Sequence, residues 1–288
     1  MSEQALDSNK IGWRFLYSRR WFGYWAMLLI FSVACVFLGN WQFARRAEAQ
    51  AEIARIDKNY DAAPIPLGQA LPDLEAFDEG NNKWLPVVVT GEYLATEQLL
   101  VRNRPKDSRV GFEILSPLIL ANGSVFVVDR GWIPAAKNSS KPSEIPLPPS
   151  GEVTVIARLK AGEPVIEGRR AVGNTLGTIN LMQVQSELKQ PTYLGAYGLL
   201  VSEKPAAVTG ELSVKPERDE GPHLSYALQW YVFIIIAVVG TVFGARREYR
   251  NLNSADASSP EVRQKSPTRK RRQSDAEIED ALLEARDS

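Results

Sequence analysis

His223, the chain's single histidine, opens an apolar run that reads Gly221-Pro222-His223-Leu224-Ser225-Tyr226-Ala227-Leu228-Gln229-Trp230-Tyr231. Pro222 suits the first turn of a helix. On that helix His223, Tyr226, Ala227 and Trp230 stand at i, i+3, i+4 and i+7 and face one way. A helix N-terminus disfavours the protonated ring, which leaves an imidazole nitrogen free to bind a metal. An imidazole flanked by flat aromatic rings at a membrane interface has the chemistry of an axial haem ligand. The plainer alternative is that His223, like Trp and Tyr, anchors the helix at the headgroup level. A second segment, Gly39-Asn40-Trp41-Gln42-Phe43-Ala44-Arg45-Arg46, closes an earlier apolar run. Arg45 and Arg46 are either flanking charges or partners for propionate carboxylates.

Little other chemistry is on offer. No phosphate-cradling loop, paired metal ligands or nucleophile elbow occurs. One Cys and one His in 288 residues exclude an intrachain disulfide and a Cys/His zinc cage. A Ser-His-Asp or Cys-His group would have to use His223. Lys+Arg and Asp+Glu both number 34, and zero net charge argues against a nucleic-acid partner. Asp129 has no second carboxylate or base placed beside it for acid catalysis. The segment Val128-Asp129-Arg130-Gly131-Trp132-Ile133-Pro134 ends a strand. Gly131 permits a tight turn there, and Trp132 either caps the domain core or packs on membrane helices. Arg130 meets either a carboxylate near Asp129 or one on a partner. Arg130, Gly131, Trp132 and Pro134 are therefore candidate partner-docking residues, and no enzymatic activity is expected.

The elements that must hold these residues follow from charge and hydropathy. No charged residue falls between Arg20 and Arg45, and His223 is the only titratable base between Glu220 and Arg246. Trp21–Phe43 makes a helix about 34 Å long, enough to cross a hydrocarbon core of about 30 Å, and Leu224–Gly244 has similar reach. Aromatic residues mark their ends, as interfacial anchors do. Ala47-Glu48-Ala49 resembles a cleavage site, but the apolar run before it is too long for a signal peptide. Lys10, Arg14, Arg19 and Arg20 precede the first span, and Arg246, Arg247 and Arg250 follow the second. Both termini are thus expected in the cytoplasm, with the middle block outside a bacterial plasma membrane. The organisation expected is a cytoplasmic N-terminus over 1–20, spans over 21–43 and 224–244, an extracytoplasmic domain over 44–220, and a disordered charged cytoplasmic tail over 245–288.

Between the spans, ARRAEAQAEIARIDK predicts a helix leaving the membrane, broken by Pro64, Pro66 and Pro72. Strand signals follow at Pro86–Tyr93, Gln98–Arg104, Phe112–Leu120, Ser124–Arg130 and Gly151–Leu159. Asn122-Gly123 predicts a tight hairpin with positive φ at both residues. Pro134 to Pro149 reads as a loop. Gly177–Leu181 and Tyr193–Ser202 add two further strands, with a short helix over Met182–Leu188. The fold class is an α+β membrane protein, two transmembrane helices flanking a β-rich, mostly antiparallel extracytoplasmic domain. In the tail, Arg269-Lys270-Arg271-Arg272 suits anionic lipid headgroups or a solvated stop signal. Ser274 and Glu277 have capping-box spacing for a short helix.

Four segments in order resemble the surfeit locus protein 1 family. They are G-x-W-Q-x-x-R (Gly39, Trp41, Gln42, Arg45), V-x-G-x-Y ending Pro86–Tyr93, R-G-W-x-P (Arg130, Gly131, Trp132, Pro134), and H-x-x-Y-A-x-Q-W (His223, Tyr226, Ala227, Gln229, Trp230). Each is weak alone, and their order between two spans is specific. The resemblance covers most of residues 20–250. It implies an assembly factor for haem-copper cytochrome c oxidase, assisting haem a delivery to the catalytic subunit beside the haem a synthesis machinery. It further implies His223 as haem iron ligand, Trp41, Tyr226 and Trp230 as cover for the macrocycle, and Arg45 as a propionate partner. The alternatives are a permanent accessory subunit of a respiratory oxidase or supercomplex, and an envelope binding module unrelated to respiration.

Overall fold

The computed structural model describes residues 12–136, 142, 144–168 and 171–255. In chain order its elements are α1 (Arg19–Asn59), β1 (Ile65–Pro66), α2 (Leu67–Ala70), α3 (Glu79–Asn82), β2 (Pro86–Tyr93), β3 (Leu99–Lys106), β4 (Arg109–Ile119), β5 (Val125–Pro134), β6 (Glu152–Ala161), β7 (Thr175–Leu176), α4 (Leu181–Leu188), β8 (Ala196–Lys204) and α5 (His223–Ala255). They form two compact units, one of residues 39–228 and one of the remaining parts of α1 and α5 with their flanks.

The helical unit is what its composition dictates. α1 and α5 each carry a stretch of mean hydropathy 2.0, long and apolar enough to cross a membrane. Phe22, Ile30, Phe37, Ile235 and Phe243 point outward and stay exposed, as side chains facing lipid tails would. α5 continues to Ala255, into the stretch read from the sequence as the start of a disordered tail. Pairing rather than hydropathy extends it. Glu248 accepts a bond from Trp21 Nε1 at 3.0 Å and pairs with Arg20, while Trp13 stacks on Tyr249 at 4.4 Å. The basic run Arg269–Arg272 and the Ser274–Glu277 box lie outside the described residues.

The sheet unit begins on the polar end of α1. Ala-rich sequence and the i,i+3 pairs Arg45–Glu48 (2.9 Å) and Glu52–Arg55 (2.8 Å) carry the helix to Asn59. Asn59 is buried, and its amide donates to the carbonyls of Asn81 (2.9 Å) and Lys83 (2.8 Å). An eight-stranded sheet follows in the order β1-β2-β6-β8-β5-β4-β3-β7. β1–β2, β3–β7 and β5–β8 are parallel and the other pairings antiparallel. β4 also returns to β2 through Glu92↔Ile119 and Tyr93↔Leu118, so β2, β6, β8, β5 and β4 pair in a closed ring.

Alternation along the strands fills two large cores and a small third cluster of Leu100, Phe112, Ile114 and Ile133. Val87, Val89, Phe126, Val128, Val153 and Val155 belong to one. Leu115, Val127, Tyr197 and Leu199 belong to the other, which Ile56 and Tyr60 of α1 and Leu181 and Val184 of α4 cover. β5 is buried at every position except Pro134.

Three local features differ from expectation. Gly123 takes φ +79°, but Asn122 does not join it at positive φ. Asn122 Oδ1 instead accepts from Ser124 N (3.0 Å) and Oγ (2.6 Å), making a wider Asx-type turn. No strand forms over Gly177–Leu181; the short β7 pairing lies just before it, at Thr175–Leu176. Asn180 Oδ1 accepts from Gln183 N at 3.0 Å and starts α4 at Leu181. β8 starts at Ala196 rather than Tyr193, because the Tyr193 backbone is engaged with Val125 O at 2.9 Å.

Candidate functional site

Within the sheet unit, the last turns of the apolar part of α1 face the start of α5. His223 Nδ1 lies 2.9 Å from Gln42 Oε1. A carboxamide oxygen only accepts, so Nδ1 is the donor, and in the neutral ring that pairing puts the free lone pair on Nε2. One turn further along α1, Arg46 Nε donates to Glu220 Oε2 (3.1 Å) and Gln50 to Glu220 Oε1 (3.2 Å). His223 is half-buried, while Trp41 and Tyr226 are 50% and 49% exposed and Ala227 is buried. Arg45 pairs with Glu48 on its own helix, with both side chains exposed. Trp230 belongs to the helical unit, where its ring meets Phe233 edge-on at 5.7 Å. Gln42, present in the G-x-W-Q-x-x-R segment but given no role from sequence, is the direct partner of the histidine.

The R-G-W-x-P segment does internal work in three of its four residues. Arg130 is buried, with Nη2 at 2.7 Å and Nε at 3.2 Å from the Glu203 carboxylate, and Nη2 also donates to Val208 O at 3.0 Å. Tyr93 Oη completes the cluster by donating to Glu203 at 3.0 Å. Burial and then the Glu203 charge push the Tyr93 hydroxyl far above its ordinary range. Gly131 sits at φ +102° with the backbone of Gly210 and Glu211 beneath 3 Å from where a Cβ would stand. Trp132 Nε1 donates to Arg104 O at 2.7 Å, and Arg109 stacks over its ring at 4.9 Å. Pro134 alone of the four is exposed.

Beside Trp132 lies a charged cluster that sequence reasoning missed. Arg104 bridges Glu113 (2.7 Å) and Glu163 (2.6 Å), and these line or adjoin a cavity of about 360 Å³ with Asp129 and Lys160. Burial first, and then the charge of Glu113, push the Asp129 carboxyl up to about 7. Burial raises Glu113 as well. For Glu163 burial is the largest single influence and pushes upward, but the bonds from Arg104 and the Ile179 N–H together with the Arg104 and Lys160 charges hold the carboxyl below its ordinary range. Asp129 and Glu113 lie on the β4–β5 pairing, which carries a bulge between Glu113 and Leu115, a register feature that local sequence does not announce.

The family model for the SURF1 family matches residues 29–235. An uncharacterized SURF1-like protein of Mycobacterium bovis is 32% identical over 251 residues, covering 85% of this chain and 91% of that protein. A SURF1-like protein of Monosiga brevicollis is 26% identical over 260 residues, covering 82% of this chain and 92% of its own length. The cytochrome oxidase assembly protein SHY1 of Saccharomyces cerevisiae is 28% identical over 113 residues, 38% of this chain and 28% of the yeast protein. With two membrane-length helices flanking the sheet domain and the family model spanning both the Gln42 and His223 segments, the chain belongs to the SURF1 family.

Proposed function

We propose that this SURF1-family chain is a membrane-bound assembly factor for a haem-copper cytochrome c oxidase, helping haem a reach the catalytic subunit without catalysing a reaction itself. One observation carries the reading: Gln42 holds His223 Nδ1 at 2.9 Å and leaves Nε2 available as a ligand. Among the described residues no group of three or more His, Cys, Asp or Glu is placed for a metal ion. A lone oriented imidazole therefore suits an iron that brings its other ligands with it. Haem a would supply that iron together with propionates that accept charged hydrogen bonds.

His223 would hold the iron through Nε2, and a single protein ligand would keep the hold loose enough for release to the catalytic subunit. Trp41, Tyr226 and Trp230 supply flat apolar cover that excludes water. Arg45 supplies a guanidinium, since an exposed i,i+3 pair such as Arg45–Glu48 is worth well under about 1 kcal/mol and exchanges readily. Pro134, exposed at the end of β5, is the point of the R-G-W-x-P segment open to a partner, with Arg130, Gly131 and Trp132 shaping it from within. The basic flanks at Arg14, Arg19 and Arg20 and at Arg246 and Arg247 support both termini on the cytoplasmic side of a bacterial plasma membrane. The yeast relative's name as an assembly protein supports the role.

The test is an absorption spectrum of the purified protein coexpressed with haem a synthesis enzymes, for wild type and His223→Ala. A haem a band that falls with the substitution supports the reading. Equal haem in the two removes His223 from it. Recovery in mature oxidase at near-unit stoichiometry, with no haem of its own, would instead make the chain a permanent accessory subunit.

A further inference from the structure

The helical unit holds a groove between α1 and α5, about 650 Å³ in volume, on the side of the helices marked by Trp21 and Glu248. Its α1 wall runs from Trp21 through Tyr24 to Phe31, and its α5 wall includes Gly240, Thr241 and Gly244. The ten helical steps from Trp21 to Phe31 rise about 15 Å, the depth of one leaflet of hydrocarbon. The shaft is mainly apolar, since the Thr241 hydroxyl donates to Ala237 O at 2.8 Å and Trp21 Nε1 to Glu248 at 3.0 Å, which leaves the Tyr24 hydroxyl as its other polar group. A Cβ added at Gly240 or Gly244 would meet no atom within 4 Å, so both glycines border open space rather than packed protein.

The mouth of the groove is different in kind. A second cavity of about 390 Å³ shares Gly244 and Glu248 with the first and is lined further by Arg20, Arg247 and Asn251. Arg20 and Trp21 already satisfy Glu248. No carboxylate pairs with Arg247 among the described residues, so the mouth keeps a positive charge at headgroup level.

We propose that this groove is a binding site for one anionic phospholipid, its acyl chain in the shaft and its phosphate held by Arg247 beside the Arg20–Glu248 pair. An apolar shaft of single-leaflet depth under a cationic mouth matches that amphiphile end to end. An uncharged transmembrane helix of a partner would match the shaft but give Arg247 no counter-charge. The site is independent of His223 and of the haem reading.

The full-length chain, delipidated in detergent and titrated with phosphatidylglycerol or phosphatidylcholine, is read by native mass spectrometry. One phosphatidylglycerol per chain is expected to be retained about fivefold more tightly than phosphatidylcholine, the preference a single interfacial arginine supplies. Gly240→Leu fills the shaft with a better helix former and should abolish the one-lipid adduct of both lipids while leaving the melting temperature unlowered. Arg247→Gln should leave the adduct but erase the preference, which keeps the proposal testable if the leucine variant fails to fold. Equal retention of the two lipids by wild type overturns the proposal. So does a wild-type phosphatidylglycerol adduct in Gly240→Leu, including the case where that variant loses a copurifying chain and a helix is thereby shown to fill the groove.

Discussion

Arg130 and Glu203 face each other across β5 and β8 with 0% and 3% of their side chains exposed, and every charge-assisted bond between them is made inside the domain. Replacing one partner strands the other charge in a dry core. Glu203→Ala should therefore destabilise the domain by about 3–5 kcal/mol, read as a large loss in chemical or thermal unfolding followed by circular dichroism. The double replacement Arg130→Met with Glu203→Leu should recover most of that loss. If the single variant melts like wild type, the pair does not hold the domain.

Gln42 orients His223 at 2.9 Å. Gln42→Leu removes the acceptor and leaves the ring free to turn, so haem a retention should weaken about 10- to 100-fold without vanishing. Gln42→Glu keeps an acceptor and adds charge, making the imidazole a stronger donor, and should retain at least as much as wild type. Absorption spectra of equal amounts of protein under matched coexpression check both. Identical retention by Gln42→Leu would show that the bond has no bearing on ligand binding.

Asp129 gives the domain a pH signature. Its folded-state pKa of about 7 stands above the ordinary carboxyl value of 3.8, because burial and Glu113 disfavour the anion. The proton is bound more tightly in the folded form, so its stabilising contribution is complete below about pH 4 and is lost as pH rises through about 7. Asp129→Asn keeps an oxygen for the Gly131 N–H, which Asp129 Oδ1 accepts at 2.9 Å, and carries no charge. Relative to the variant, wild type should lose stability on the order of 1–4 kcal/mol between pH 5 and pH 8. Parallel melting curves for the two proteins across that range would refute it.

Gly111 lies where β4 passes β5 closely. A Cβ there would stand 2.2 Å from Ile133 O and 2.4 Å from the Trp132 ring. Neither backbone nor a ring held by Arg104 O can yield cheaply, so Gly111→Ala should cost about 1–3 kcal/mol. Loss of near-ultraviolet dichroism from Trp132 would accompany the fall in melting temperature. An unchanged tryptophan signal would show that the strands simply part.

The spans were legible because uncharged runs of membrane length have few other readings, and β2 was legible because Val-Val-Val bounded by Pro86 and Gly91 is short, apolar and punctuated. Features set by distant partners were not. The β2–β4 contact that closes the ring pairs Tyr93 with Leu118, and no local pattern marks either as a meeting point. Gln42 stood in a quoted segment, yet its role depended on a residue 181 positions away. The Arg130 side chain had two open readings, an internal carboxylate or one on a partner. The acid that takes it is Glu203, 73 positions further on. The cap at Asn180 could have been read, since an Asn before Leu-Met-Gln is a helix start, but the apolar stretch beside it looked like a strand.

Where the sheet domain begins and where it ends are tied to each other. Asp57 and Asp61 follow the helix out of the apolar region, and they pair with Arg218 (2.7 Å) and Lys215 (2.5 Å) on the segment leading into α5, just as Arg46 and Gln50 take Glu220. The domain thus leaves by the door through which it came in. Such a module behaves as a cassette set into the connection of a helical hairpin. Loops around its closed strand ring can lengthen, shorten or be exchanged while the spacing between the two helix ends, and with it the Gln42–His223 bond, is left as it is.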